Sequence, residues 1–145
     1  MEVNLPATTP YSRTALQQAA ESGNVDIVNR LLQAGADVNQ APADWAGVTA
    51  LQAAAIGGFL GIASKLLELG ADVNACGAEN DGRTALEGAA EHGRIDMVQL
   101  LLNAGADVSG TPFGTKQYEN AVKFAKEQGY DAVARLLIRH RESLG

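Results

Sequence analysis

Thr14-Ala15-Leu16-Gln17 recurs as Thr49-Ala50-Leu51-Gln52 and again as Thr84-Ala85-Leu86-Glu87, each copy 35 residues after the last. Self-similarity at a fixed period of this size marks a stack of like units, so it decides the architecture before any single helix is assigned. The same offset carries Ala19-Ala20, Ala54-Ala55 and Ala89-Ala90, then Gly23, Gly58 and Gly93, then Leu31-Leu32, Leu66-Leu67 and Leu101-Leu102. Each copy closes on Gly-Ala-Asp-Val, at Gly35 to Val38, Gly70 to Val73 and Gly105 to Val108, with Asn39, Asn74 and Ser109 behind.

Each shared residue has a physical reason. A Thr with Gln or Glu three residues later is a capping box, in which hydroxyl and side-chain oxygen satisfy each other's amide hydrogens. Three helices are therefore expected to begin at Thr14, Thr49 and Thr84, each cap worth about 1 kcal/mol. The glycines arrive two turns later, where a left-handed residue ends a helix without a Cβ clash. A second helix comes next, with Val25, Ile27, Val28, Leu31 and Leu32 as its apolar stripe in the first unit. So short a helix pair cannot bury its own apolar face, so neighbouring units must cover it. The expectation is an all-α solenoid of stacked helix-turn-helix units.

Composition bounds the function. The 145 residues are 46% hydrophobic and 19% charged, a soluble globular balance, and with only 5% aromatic the core must be built of Ala, Leu and Val. A net charge of -6 and a pI of about 4.8 repel phosphate backbones and anionic lipid, so neither nucleic acid nor membrane is an expected partner. The basic cluster of Lys123, Lys126, Arg135, Arg139 and Arg141 reads as a solvated helix face. Cys76 is the only cysteine, which excludes an internal disulfide and fits an intracellular, cytoplasmic compartment. Met1 to Pro10 lacks the basic-then-apolar order of a secretory leader, and no stretch approaches a membrane span.

These residues resemble the ankyrin repeat, a β-turn finger followed by two antiparallel helices, with signature Thr-Pro-Leu-His-x-Ala and a period of about 33. The resemblance covers residues 11 to 140. In place of the usual Pro stand Ala15, Ala50 and Ala85, and in place of the usual His stand Gln17, Gln52 and Glu87. The longer period lies in the fingers, between Asn39 and Thr49 and between Asn74 and Thr84. Repeats are expected at about 11–45, 46–80 and 81–115, all within one domain spanning 1–145. A divergent cap over 116–145 completes it, with Asn120 standing where the capping Thr would be. The wording from Gly82 to Gly93, with the tail from Tyr118 to Leu137, resembles arrays at the C-terminal end of large fungal NLR-like, NACHT-type proteins. That resemblance implies the partner-binding end of a receptor.

The family implies protein binding through a concave face made of fingers and first helices. Carried onto this chain, the contact positions are Arg13, Val48 and Arg83, then Glu21-Ser22, Ile56-Gly57 and Glu91-His92, extended by finger residues such as Asp44 and Trp45. Trp45, Val48 and Ile56 are apolar where the flanking units are polar, as a hot spot would be. An intramolecular clamp or spacer within a larger receptor is the alternative. The isolated domain is expected to be a monomer.

No catalytic, cofactor or metal site is expected. Gly57 to Gly61 lacks the Lys-Ser or Lys-Thr ending of a phosphate loop. Asp37-Val38-Asn39 and Asp72-Val73-Asn74 open like calcium loops, but their twelfth positions are Val48 and Arg83 rather than Glu, so they read as turn residues. His92 is either a contact residue or a solvated helix-end histidine, and His140 lies in the cap.

Overall fold

The three Thr residues do open three helices. In a computed structural model, which describes residues 3–6 and 12–145, α1 (Ala15–Ser22), α3 (Ala50–Gly57) and α5 (Ala85–Glu91) each start behind one of them. Of Met1 to Pro10, only residues 3–6 are among those described. Thr14 N donates to Gln17 Oε1 at 2.9 Å while Gln17 N donates to Thr14 Oγ1 at 3.2 Å, and Thr49–Gln52 and Thr84–Glu87 repeat the exchange.

Gly23, Gly58 and Gly93 then take φ of 71°, 76° and 69°, the left-handed region in which a Cβ costs roughly 1–2 kcal/mol. The chain turns back there into α2 (Val25–Gln33), α4 (Leu60–Glu68) and α6 (Ile95–Asn103). A second constraint acts on these glycines, because the next unit leans across each one. A Cβ on Gly23 would stand 2.6 Å from the Phe59 ring, one on Gly58 2.9 Å from Arg94 Cδ, and one on Gly93 2.7 Å from the Tyr130 ring.

The odd-numbered helices form one closely packed layer, which Ala20, Ala54, Ala55, Ala89 and Ala90 permit by presenting almost no side chain. The even-numbered helices form the outer, looser layer, and Leu51, Leu66, Leu86, Met97, Leu101 and Leu137 fill the space between. Each such side chain contributes about 2–3 kcal/mol of burial.

Two expectations are corrected. Val25 and Ile27 do not join the buried stripe of α2, which rests on Val28 and Leu31. Val25 holds the first position of its helix and faces outward as Leu60 and Ile95 do, whereas the exposure of Ile27 belongs to the end of the stack. The C-terminal pair also begins earlier than read. α7 (Pro112–Glu127) is capped by Thr111, whose Oγ1 accepts from Gly114 N at 2.9 Å, and Asn120 lies inside the helix rather than at its cap. Thr-Pro is itself a start signal, with proline at a position that needs no amide hydrogen. α7 thus replaces the finger that succeeds each earlier unit, and α8 (Asp131–Ser143) completes the fourth pair.

Candidate protein-binding face

The finger between the first and second units is built from its root. Gln17 closes its capping box with one amide atom and with Nε2 donates to Gln40 O at 3.1 Å and Ala41 O at 3.0 Å. Gln52 holds Ala75 O and Cys76 O in the same way. The finger tips join through the main chain, as Ala46 N donates to Asn80 O at 2.8 Å and Asn80 N to Asp44 O at 3.0 Å. Among the described residues this Trp45–Asn80 bridge is the sole β pairing. A buried side-chain amide needs hydrogen-bond partners, and here the carbonyls at each finger's root supply them.

The contact positions fall into one repeating pair along this face. In the first unit Arg13 Nε meets Glu21 Oε2 at 3.1 Å, and in the third Arg83 Nε meets Glu91 Oε2 at 2.8 Å. Arg13 also donates to Ala46 O at 3.2 Å, and the Arg83 guanidinium lies 4.5 Å over the Phe124 ring. The second unit puts Val48 and Ile56 at the same two positions, an apolar pair in place of an ion pair.

Burial separates these residues. Val48 is only 7% exposed and belongs to the core, so it is not the surface contact expected of it. The physical reason is that a short β-branched side chain has no polar head to lift back into water. Ile56 is half-buried against Gly88, where a built Cβ would stand 2.6 Å from Ile56 Cγ1. Trp45 keeps 44% of its surface exposed, with Asp44 exposed beside it. Glu21, Ser22 and His92 are also exposed, although Ser22 Oγ donates to Gln18 O and His92 Nδ1 lies 2.9 Å from Gly88 O. The row is thus brought together on one face, but the apolar patch within it shrinks to Trp45 and the edge of Ile56.

A further set of residues was missed from sequence. Asn39 Nδ2 donates to Gly70 O at 3.0 Å while its Oδ1 accepts from Asp72 N at 2.8 Å. Asn74 repeats this on Gly105 O and Asp107 N. These asparagines are bolts between units rather than turn residues alone, and their recurrence at the shared period was the available signal. Among the described residues no group of three or more His, Cys, Asp or Glu is placed to hold a metal. No described helix is long and apolar enough to cross a membrane.

Family profiles described as ankyrin repeats (3 copies) and ankyrin repeats (many copies) match residues 42–112 and 16–67. The chain belongs to the ankyrin-repeat family. Both ankyrin matches stop at or before the first residue of α7, so the long terminal pair is the divergent part of the array. A search among curated proteins finds no significant relative. Ankyrin repeats generally serve as protein–protein interaction modules and non-enzymatic scaffolds.

Proposed function

We propose that this ankyrin array binds a partner protein across its fingers and first helices, with Trp45 as the anchor. The observation that carries this reading is a tryptophan 44% exposed on a finger whose main chain is bonded to its neighbour. A rigid amphipathic ring presented this way loses little entropy on binding, which is why Trp is enriched among hot spots. Arg13 and Arg83 are already engaged by Glu21 and Glu91, so the charges left around the indole are the exposed carboxylates of Asp44, Glu79 and Asp81. The fitting partner presents an apolar pocket rimmed by Lys or Arg. The wording from Gly82 to Gly93 and from Tyr118 to Leu137 supports placing the array, as a monomeric unit, at the partner-binding end of an intracellular fungal NLR-like receptor.

The test compares partner recovery from a lysate of the native source by the wild-type chain and by Trp45→Ala, with thermal unfolding checked first. An anchor of this kind is worth about 2 kcal/mol, roughly thirtyfold in affinity. Recovery should collapse for Trp45→Ala and survive a change on the outer layer such as Lys65→Ala. Equal recovery by both Trp45→Ala and wild type would remove the concave face from the proposal.

A further inference from the structure

The two ends of the stack differ. At the C-terminal end the long α7–α8 pair turns Lys116, Glu119, Lys123, Glu127, Arg135 and Arg139 outward, the polar finish that a terminal unit needs. At the other end Ile27 is 47% exposed, whereas its counterparts Ile62 and Met97, at the shared period, are 3% and 1% exposed under the preceding unit. Ala15 is likewise exposed where Ala50 and Ala85 are buried. Leu5 stands exposed at the same end.

The short segment ahead of α1 shows what belongs on this end. Asn4 Nδ2 donates to Gly35 O at 3.1 Å, and Asn4 Oδ1 accepts from Asp37 N at 2.6 Å. Those are the two bonds that Asn39 makes to Gly70 and Asp72, and that Asn74 makes to Gly105 and Asp107. Val3 packs against the core as Val38 and Val73 do, and Glu2-Val3-Asn4 precedes Asp37-Val38-Asn39 by the same 35 residues. Each such Val-Asn closes one helix pair and bolts it to the next. Val3-Asn4 therefore perform the closing half of a unit whose helices would lie over Ile27.

We infer that the α1–α2 end is an open repeat interface, shaped to receive a further ankyrin-type helix pair continuous with Val3-Asn4. The interface repeats unit by unit along the stack, and the bolt that would join this pair to the first unit is already closed. The apolar side chain the pair would cover, Ile27, is of the type its buried counterparts use.

The test is a graft with a chemical reporter. A copy of residues 40–71 is fused ahead of Glu2, so that its Gly70-Ala71 runs into Glu2-Val3-Asn4 as it normally runs into Asp72-Val73-Asn74. Both the fusion and the unfused chain carry Cys76→Ser and Ile27→Cys, and maleimide labelling at position 27 is monitored. The unfused chain should label fast at every protein concentration. In the fusion labelling should slow by about tenfold or more, with one unfolding transition at a higher Tm. A second fusion using residues 5–36 as the copy guards against a mismatch particular to the first. If both fusions label at the unfused rate, the inference falls. It falls also if position 27 is protected in the unfused chain, since concentration-independent protection means this chain already covers the face and concentration-dependent protection means a second copy does.

Discussion

Gly88 stands in the middle of α5, where alanine would ordinarily stabilise a helix by about 1 kcal/mol. Its position is held by Ile56 of the preceding unit, whose Cγ1 fills the space a Cβ would need. Gly88→Ala should therefore destabilise the protein by about 1–2 kcal/mol. In an Ile56→Ala background the same change should stabilise it by about 0.5–1 kcal/mol. Urea midpoints of the four chains measure the coupling, and equal effects in both backgrounds would show that Ile56 swings clear at no cost. Asp107 supplies a second residue-level prediction. Its carboxylate accepts from Thr111 Oγ1 at 2.6 Å, Gly110 N at 2.7 Å and Ser109 N at 3.1 Å, and these bonds, Thr111 foremost, hold its pKa below the ordinary value. A carboxyl more acidic in the folded than in the unfolded chain contributes stability above its unfolded pKa and loses it as pH falls through the folded one. Asp107→Ala should thus be clearly less stable than wild type at neutral pH. The gap should narrow in denaturation measured at about pH 3, below the ordinary Asp value of about 3.9. A gap unchanged with pH would show that charge plays no part in this turn.

At the scale of the element, the residue three beyond each capping Thr is matched to the next element in the chain after its helix pair. Gln17 and Gln52 precede fingers, whose roots offer main-chain carbonyls, and an amide donor is the group those need. Glu87 precedes α7, where Asn120 Nδ2 approaches, and its Oε2 accepts at 2.7 Å. Gln52→Glu aims a buried acceptor at Ala75 O and Cys76 O and should cost about 2–3 kcal/mol. Glu87→Gln should cost less, because the Asn120 amide can turn over and present its oxygen. Equal losses in chemical denaturation would show that the match between residue and neighbouring element is incidental. The caps, the turning glycines and the Leu pairs were legible in the sequence because each is a local device repeated three times. The Thr111 cap stayed hidden because the loose match of Asn120-Ala121-Val122 to Thr84-Ala85-Leu86 pointed to Asn120 instead. Val48 and Ile27 were misplaced for a different reason. Whether an apolar residue faces a neighbour or water depends on which unit lies next to it, and neither a single-unit helical stripe, as for Ile27, nor a contact position carried over from the family, as for Val48, holds that information. The Asn bolts join residues 31 to 33 apart, so only the stack reveals them as contacts.

At the scale of the molecule, a solenoid's stability is close to a sum of unit terms and nearest-neighbour interface terms, so its ends open at lower free energy than its middle. The two ends here are unequal. The last pair is long, with 16 residues in α7 and 13 in α8, and seals the stack with a polar surface, while the first pair has 8 and 9 and leaves Ile27 in water. Opening should begin at α1–α2 and travel toward the C-terminus. Native-state hydrogen exchange should accordingly find the amides of Val28 and Leu31 in α2 the less protected, and those of Val98 and Leu101 in α6 protected up to the global limit. Leu66→Ala, which hollows the second unit at a cost of about 2–5 kcal/mol, should widen that difference, because α1–α2 would then be coupled to the rest through a weakened neighbour. If α2 and α6 exchange through one opening of the same free energy, and Leu66→Ala lowers both together, the stack unfolds only as a whole. In that case the unequal ends would have no consequence for how the protein opens, and the interfaces would be strong enough to make four helix pairs a single cooperative unit.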